Sequence, residues 1–123
     1  MADKKIDKPS ISTVLYAEKG WNRLDETIGL NQYTSIFVLT DTNTNNDCLP
    51  LFDNHFQHAY TLLTMEAGET NKHLATCEDL WASLSEQGAD RNSLLINLGG
   101  GVVTDLGGFV ACTYKRGIDF INI

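Results

Sequence analysis

The sequence predicts an α/β fold, in which a twisted parallel sheet is flanked by helices. Short apolar runs alternate about five times with segments whose apolar residues recur at helical spacing, an order that is typical of βαβ units. The runs at 35–39 and 93–98 are apolar almost without interruption, as in strands that are buried on both faces. With 123 residues, the chain is long enough for one domain with its own core.

The first half of the chain begins with a polar, charged stretch at 1–9, which is predicted to be a flexible leader before a folded domain at 10–123. The spacing of Trp21, Leu24 and Ile28 predicts a helix that ends near Gly29. The predicted elements are a strand at 11–16, a helix at 21–28, a strand at 35–39, a polar loop at 40–47, a helix at about 46–56 with Leu49, Phe52 and Phe56 facing inward, and a strand at 60–65.

The second half contains the clearest helix, which is predicted at 71–87. Its apolar residues fall on one face, and Gly88 follows its end, where glycine commonly terminates helices. A buried strand at 93–98 runs into three consecutive glycines, and a helix at 102–115, capped by Gly117, leads to a strand at 118–123. The apolar face of the clearest helix consists of Leu74, Cys77, Leu80, Trp81 and Leu84.

The composition excludes several classes of partner. Asp and Glu number 16 against 9 Lys and Arg, a net charge of −7, whereas a general nucleic-acid binder needs a basic face. No apolar stretch approaches the roughly 20 residues that span a bilayer, and the polar leader does not have the form of a signal peptide. We therefore expect a cytoplasmic protein that binds neither nucleic acid nor a membrane.

The cysteines and histidines do not predict a metal site. Cys48, Cys77 and Cys112 are far apart and odd in number, so buried, reduced thiols are expected rather than disulfides or a metal knuckle. His55 and His58 are three residues apart, but no third ligand of a suitable type occurs at a compatible spacing. We therefore assign no metal ligand in this sequence.

Polar segments at 41–43, 68–72 and 99–105 follow predicted strands, at the end where open parallel sheets bind ligands. The glycines at 99–101 allow a tight turn and leave the amides at the start of the next helix open to a diphosphate. Asp105, about one turn later, can cap the helix or accept hydrogen bonds from ligand hydroxyls. The alternative is a tight turn with no ligand. Gly107 and Gly108 lie inside the same helix, where close approach of another backbone or a ligand would explain them.

The other charged candidates each allow two interpretations. Asp41, at the end of a strand, can bind the hydroxyls of an adenosine ribose, but Asp is also an ordinary loop residue. Glu69 and Lys72 can contact a ligand at the start of a helix, or form a solvated pair that contributes little. Arg116 suits the dipole at a helix end, and a guanidinium also binds anions.

The segment from Leu98 to Ile118 resembles the signature of the 3-dehydroquinate synthase family. It begins LGGGVVTDLGGFVA and continues to Lys115-Arg116-Gly117, which fits the family pattern GGG-x-x-x-D-x-x-GF-x-A with a later RG pair and a strand. Upstream, residues 68–72 match the family element GE-x-x-K, and the segment Asp41-Thr42-Asn43 matches a less specific strand-end element.

This resemblance implies the N-terminal, Rossmann-like, NAD-binding part of a lyase of the shikimate pathway, which leads to aromatic amino acids. The family converts 3-deoxy-D-arabino-heptulosonate 7-phosphate into 3-dehydroquinate and phosphate, using NAD and a divalent metal, zinc or cobalt. It further implies a homodimer in which an arginine reaches the substrate phosphate across the interface, and Arg116 matches that arginine. The implied NAD-binding residues are Asp41, Asn43, Glu69, Lys72, Gly100, Gly101, Val102 and Asp105.

Two departures from the family qualify the resemblance. Ala67 stands where many relatives have a polar residue, which affects one minor NAD contact. The sequence also stops at Ile123, before the segments that hold the metal and the active-site lysines in the family, so we expect an incomplete enzyme that is inactive alone and has no catalytic residue of its own. The alternatives are a related sugar-phosphate cyclase, an NAD- and metal-dependent polyol dehydrogenase, or a non-enzymatic nucleotide-binding α/β module.

Overall fold

The computed structural model describes residues 17–68 and 74–123, which fall into two compact units, one that ends at Tyr33 and one that begins at Thr34. The leader and the strand predicted at 11–16 lie outside the described residues. In the first unit, helix α1 (Ala17–Asn31) buries Leu24 and Ile28, as their spacing predicts. It ends near Gly29, as predicted, although it continues two residues past this glycine, to Asn31. It ends before Gln32, whose φ of 51° is left-handed.

The second unit contains a four-stranded parallel sheet with the order β2-β1-β3-β4, which confirms the predicted α/β class. All residues of β1 and β3 are buried, as expected for strands that are covered on both faces. Each strand lies within two residues of its predicted position. The strands are β1 (Ile36–Asp41), β2 (Thr61–Met65), β3 (Leu94–Asn97) and β4 (Asp119–Asn122).

The segment between β1 and β2 differs most from prediction. The predicted loop at 40–47 is wrong, because helix α2 (Thr42–Asp47) starts directly after β1. A second helix, α3 (Leu49–His55), follows with Pro50 in its first turn, where a proline is well accommodated. Phe52 and Phe56 are buried, as predicted, and their rings stack with centroids 4.6 Å apart.

The other two helices cover one face of the sheet. Helix α4 (Leu74–Glu86) ends in a Schellman motif, in which Ala89 N donates to Leu84 O across Gly88, whose φ is 83°. Helix α5 (Gly101–Thr113) continues into a 3₁₀ turn (Tyr114–Arg116). Of the predicted α4 face, Cys77, Leu80 and Leu84 are buried, Trp81 packs against the core and Leu74 is exposed. The core beneath these helices comprises Phe37, Leu39, Leu63, Met65, Leu95, Val103, Leu106 and Val110, among others.

The glycine pair inside α5 makes room for side chains of the sheet. A Cβ atom at Gly107 would lie 1.9 Å from Asn97 Oδ1, and one at Gly108 would lie 3.5 Å from the ring of Phe120. The expectation of an approaching backbone or ligand at these glycines is therefore wrong. Gly107 lets the helix rest on a buried asparagine of β3.

The structure also shows the state of the cysteines and the lengths of the described helices. Cys48, Cys77 and Cys112 are all free, and burial raises the pKa of the Cys77 thiol. The expectation of burial is wrong for Cys48, which is half-buried, and for Cys112, which lies off the buried face of α5 and is exposed. Within the described ranges, none of the helices combines the length and the hydrophobicity needed to cross a bilayer.

Candidate functional site

The sheet order places a topological switch point between β1 and β3. From β1 the chain continues to β2, which pairs with one side of β1. Strand β3 pairs with the other side of β1, and β4 lies beyond β3. The two strand ends are held together, since Leu98 N donates a 2.8 Å hydrogen bond to Leu39 O. In doubly wound sheets, ligands bind in the crevice beyond the carboxyl ends of the strands at this point. Helices α2 and α5 both begin at this crevice.

The start of α2 is closed by Asp41, the last residue of β1. Thr44 N donates to Asp41 Oδ1 at 2.8 Å, and Asp41 N donates to Thr44 Oγ1 at 2.9 Å, which together form a capping box. Asp41 is only 9% exposed, and Thr44 Oγ1 also approaches Oδ1, at 3.2 Å. One carboxylate oxygen of Asp41 therefore stabilises the helix. Asn43, on the first turn of α2, is exposed at the crevice.

The start of α5 has a different character, because among the described residues no side chain caps it. Gly100 occupies the N-cap position, and the first helical hydrogen bond runs from Thr104 N to Gly100 O at 3.1 Å. The amides of Gly101 and Val102 precede that bond and point out of the helix start, whereas Val103 is fully buried. A Cβ atom at Gly100 or Gly101 would meet nothing within 4 Å. Open space therefore faces amides that carry the positive end of the helix dipole.

Gly99 joins the two helix starts. Its φ is 152°, and a Cβ atom there would lie 2.9 Å from Thr44 Cγ2 and 3.1 Å from Val103 Cγ2. Gly99 N donates to Ile123 O at 3.3 Å, which ties the turn to the end of β4. Thr44, which completes the capping box with Asp41, therefore packs directly against the glycine turn that precedes α5.

The remaining predicted residues of this site divide into three groups. Val102 packs partly against the core, and its main-chain amide precedes the first helical hydrogen bond of α5. Asp105 is exposed on the second turn of α5. Glu69 and Lys72 lie outside the described residues. The structure thus brings the segments 41–44 and 99–105 together.

Arg116 lies at the opposite edge of the sheet. It precedes β4, whereas the glycine turn follows β3, so the length of a strand, about 13 Å for four residues, separates the two positions. Lys115, Arg116 and Gly117 have consecutive φ angles of 46°, 70° and 107°, and two non-glycine residues in this region indicate strain. An open groove of about 530 Å³ is lined by Asp90, Arg91, Asn92, Lys115 and Arg116.

Asp90 organises that groove. Its Oδ1 atom accepts hydrogen bonds from Thr34 Oγ1 at 2.6 Å and from Asn92 N at 2.8 Å. The hydrogen bond from Thr34, the one from Asn92 and the positive charge of Lys115 lower the pKa of the Asp90 carboxyl. A lowered pKa in the folded state favours folding at neutral pH, and this contribution is lost as the pH falls below the ordinary pKa of Asp.

Asp90→Asn is therefore expected to reduce the acid sensitivity of the fold. The variant should lose less stability than the parent between about pH 5 and pH 2, by well under about 1 kcal/mol because Asp90 is exposed and screened. Urea denaturation at a series of pH values measures this difference. Parallel pH profiles for the two proteins would contradict the role given to the Asp90 carboxylate.

Asp41→Ala is expected to destabilise the protein by about 1 kcal/mol, the usual effect of losing an N-cap side chain. Asp41→Asn should retain nearly all of that stability, because asparagine caps helices about as well as aspartate. Urea denaturation of both variants measures the difference. An Asp41→Ala variant as stable as the parent would show that the capping box does not contribute to the free energy of unfolding.

The described residues contain no group of three or more His, Cys, Asp or Glu side chains placed to hold a metal ion. The zinc or cobalt ion that the resemblance implies therefore has no fitting set of donors in these ranges. The open amides of α5, by contrast, fit the diphosphate of NAD, since they offer backbone donors and a positive dipole with no side chain in the way.

Two residues of the site escape the sequence analysis. Thr44 completes the capping box, and its signal was the spacing Asp41-x-x-Thr44, in which a helix start was hidden in an apparent loop. Asn97 is fully buried beneath α5, and its signal was a polar residue inside the apolar run 93–98.

Comparison with known proteins identifies related sequences over most of the chain. A family model described as "3-dehydroquinate synthase N-terminal" matches residues 62–123. A 3-dehydroquinate synthase of Parabacteroides distasonis is 47% identical over 104 residues, which cover 83% of this chain and 29% of that protein. One of Alkaliphilus oremlandii is 35% identical, and the match covers 100% of this chain and 35% of that protein. The chain thus spans about a third or less of these relatives.

Two solved structures share the fold. A crystal structure of 2-deoxy-scyllo-inosose synthase with carbaglucose-6-phosphate, NAD+ and Co2+ superposes with a TM-score of 0.74 at 21% identity, and the match covers 84% of this chain and 29% of that one. A 2-epi-5-epi-valiolone synthase from Streptomyces hygroscopicus, with NAD+ and Zn2+ bound, gives 0.67 at 17% identity, covering 94% and 34%. Because the family model spans half of the chain, including the glycine turn and the open helix start, this chain belongs to the 3-dehydroquinate synthase family.

Proposed function

We propose that this chain is the NAD-binding part of a 3-dehydroquinate synthase, which converts 3-deoxy-D-arabino-heptulosonate 7-phosphate into 3-dehydroquinate and phosphate. The observation that carries the proposal is the open start of α5 at the switch point of the sheet. Of the two helices that begin there, α2 is capped by its own side chain and α5 has no side-chain cap. That asymmetry supports an anionic ligand as the partner of the α5 amides.

The proposed contacts follow from the positions of the groups. The amides of Gly101 and Val102, with the open backbone at Gly100, hold the diphosphate. Asp41 and Asn43 bind the adenosine ribose, and because one oxygen of Asp41 is engaged by Thr44, the other is the acceptor for ribose hydroxyls. Asp105 lies at the same edge and accepts hydrogen bonds from hydroxyl groups of the ligand.

The chemistry that NAD would supply when bound is the acceptance of a hydride from the carbon that bears a substrate hydroxyl, and the return of a hydride to a ketone. The residues of this chain bind and orient NAD, and the proposal assigns none of them a proton-transfer role. Glu69 and Lys72, which the family element GE-x-x-K assigns to NAD, complete the proposed set. Asp41→Asn tests the ribose contact separately from the cap, because the variant keeps the cap and loses the negative charge that attracts hydroxyl donors.

An NMR titration of the isotopically labelled 123-residue chain with NAD+ tests the proposal. The amide signals of Gly100, Gly101, Val102 and Thr44 should shift with increasing NAD+, and adenosine, which has no diphosphate, should leave the α5 amides unchanged. The signal of Asp90, at the opposite edge, is an internal reference. The proposed site would be refuted if millimolar NAD+ shifted none of the α5 amide signals. It would also be refuted if NAD+ shifted only signals at the opposite edge of the sheet, such as that of Asp90.

We also propose that Arg116 serves the site of a second copy of this chain in a homodimer. Its position at the edge away from the glycine turn favours a contact across an interface rather than within one chain. The strained backbone at Lys115 and Arg116 is consistent with a functional demand on this segment.

Mixing two inactive variants of the whole enzyme, Arg116→Ala and Gly101→Asp, tests the cross-subunit role. Activity should return in mixed dimers, because one site then combines an intact turn from one chain with an intact arginine from the other. Mixtures that stay inactive although the subunits exchange would contradict a cross-subunit role.

A further inference from the structure

We infer that Asn97 is a positioning residue, which sets the distance between the end of β3 and helix α5 and thereby aligns the α5 amides with the diphosphate. This inference rests on the proposed NAD site, and it concerns a residue with no place in the family motifs described above. Asn97 is fully buried, and its side chain points from the sheet to α5.

The carboxamide of Asn97 is fixed in one orientation. Its Nδ2 atom donates a 3.0 Å hydrogen bond to Asn122 Oδ1, on the neighbouring strand β4. The backbone joins the same strands, since Ile123 N donates to Asn97 O at 2.8 Å. The plane of the Asn97 carboxamide is therefore set by β4, and the opposite side of the group must face the helix.

The Oδ1 atom of Asn97 is buried and has no hydrogen-bond partner in the described part of the protein. It lies against the backbone of α5 at Gly107, where a Cβ atom would be only 1.9 Å away. Burying an unpaired acceptor costs free energy, and an apolar residue would avoid that cost. Retaining it suits a position where a rigid, oriented spacer is required rather than maximal stability.

The spacer acts on the site through one turn of helix. Val103 precedes Gly107 by four residues, on the same buried face of α5, and it directly follows Gly101 and Val102, whose amides begin the helix. Val103 also lies close to the position that a Cβ atom of Gly99 would occupy. The segment 97–107 runs from β3 through the glycine turn into α5, and its two ends are in contact because Gly107 lies against the Asn97 side chain. Because this segment is close-packed, a displacement of α5 at Gly107 also moves the amides at the start of the helix.

Two substitutions and their combination test the inference. Gly107→Ala places a methyl group on the Asn97 carboxamide and should push α5 away, which weakens NAD+ binding about tenfold. Asn97→Ala removes the spacer and should also weaken binding. In the double variant the new methyl group occupies the space that the carboxamide vacates, so affinity should return to within about threefold of the parent. Gly108→Ala is the matched control, because its methyl group meets Phe120 at an ordinary 3.5 Å.

The readout is the NAD+ dissociation constant from NMR titration of the folded protein, together with the midpoint of urea denaturation. A residue with a merely structural role would change the midpoint and leave the dissociation constant unchanged, and that result would overturn the inference. If Gly107→Ala does not fold, the comparison uses Asn97→Ala and the double variant. Equal NAD+ dissociation constants in the parent, Asn97→Ala and the double variant would overturn the inference. A parent chain that does not bind NAD+ refutes the proposed site itself, and the inference with it.

Discussion

Gly99→Val is expected to destabilise the protein by roughly 3 kcal/mol or more, the largest effect of any single change in the glycine turn. Its φ of 152° is a conformation that L side chains rarely adopt, so valine strains the backbone at this position. The added side chain also meets Thr44 at 2.9 Å and Val103 at 3.1 Å. Neither neighbour can yield, because Thr44 is fixed by the α2 cap and Val103 is fully buried. Urea denaturation measures the loss.

The adjacent residue provides a matched control for this effect. Gly100 has an extended backbone with φ −80° and ψ −166°, and a Cβ atom there meets nothing within 4 Å. Gly100→Ala should therefore change the free energy of unfolding by less than about 0.5 kcal/mol. Equal stability losses in Gly99→Val and Gly100→Ala would show that the contacts at Gly99 do not decide the geometry of the turn.

Gly101→Asp is expected to weaken NAD+ binding by about 100-fold while leaving the fold intact. The new carboxylate lies in the first turn of α5, where it repels the diphosphate and interacts favourably with the helix dipole. Because nothing lies within 4 Å of a Cβ atom at this position, no clash with the protein is expected. Without ligand, the free energy of unfolding should stay the same or rise by roughly 0.3 kcal/mol. NMR titration and urea denaturation measure the two quantities.

Gly101→Asn separates charge from size in that experiment. Asparagine has almost the same shape as aspartate and carries no charge, so its variant should bind NAD+ more tightly than Gly101→Asp. Increasing salt should narrow the gap between them, because salt screens the repulsion. A Gly101→Asp variant that binds NAD+ as well as the parent would remove the diphosphate from this turn.

The order of strands and helices could be predicted from the sequence because each element has a local signal. The nearly uninterrupted apolar runs predicted β1 and β3, and the position of Gly88 predicted the end of α4. The start of α2 could not be predicted from composition, since the polar residues at 42–47 are those of a loop. Only the relation between Asp41 and Thr44 distinguishes this helix from a loop.

The carboxyl-edge part of the site could be predicted because it depends on chain order. Strand ends at a parallel sheet edge lie together, so Asp41 and Gly99–Gly101 were expected as neighbours, and the structure places the two segments in contact through Thr44. The place of Asn97 depends instead on how closely α5 approaches β3, which is a property of tertiary packing. The sequence analysis therefore connected the glycine at 107 with a backbone or a ligand rather than with an asparagine ten residues earlier.

The unequal capping of α2 and α5 has a consequence for the exchange of amide hydrogens with solvent. The Thr44 amide is bonded to Asp41 in the protein alone, so it should be protected whether or not a ligand is present. The amides of Gly101 and Val102 have no such side-chain cap and should exchange quickly in the free protein. A nucleotide would slow their exchange, so these two helix starts, side by side in one crevice, would report occupancy and folding separately.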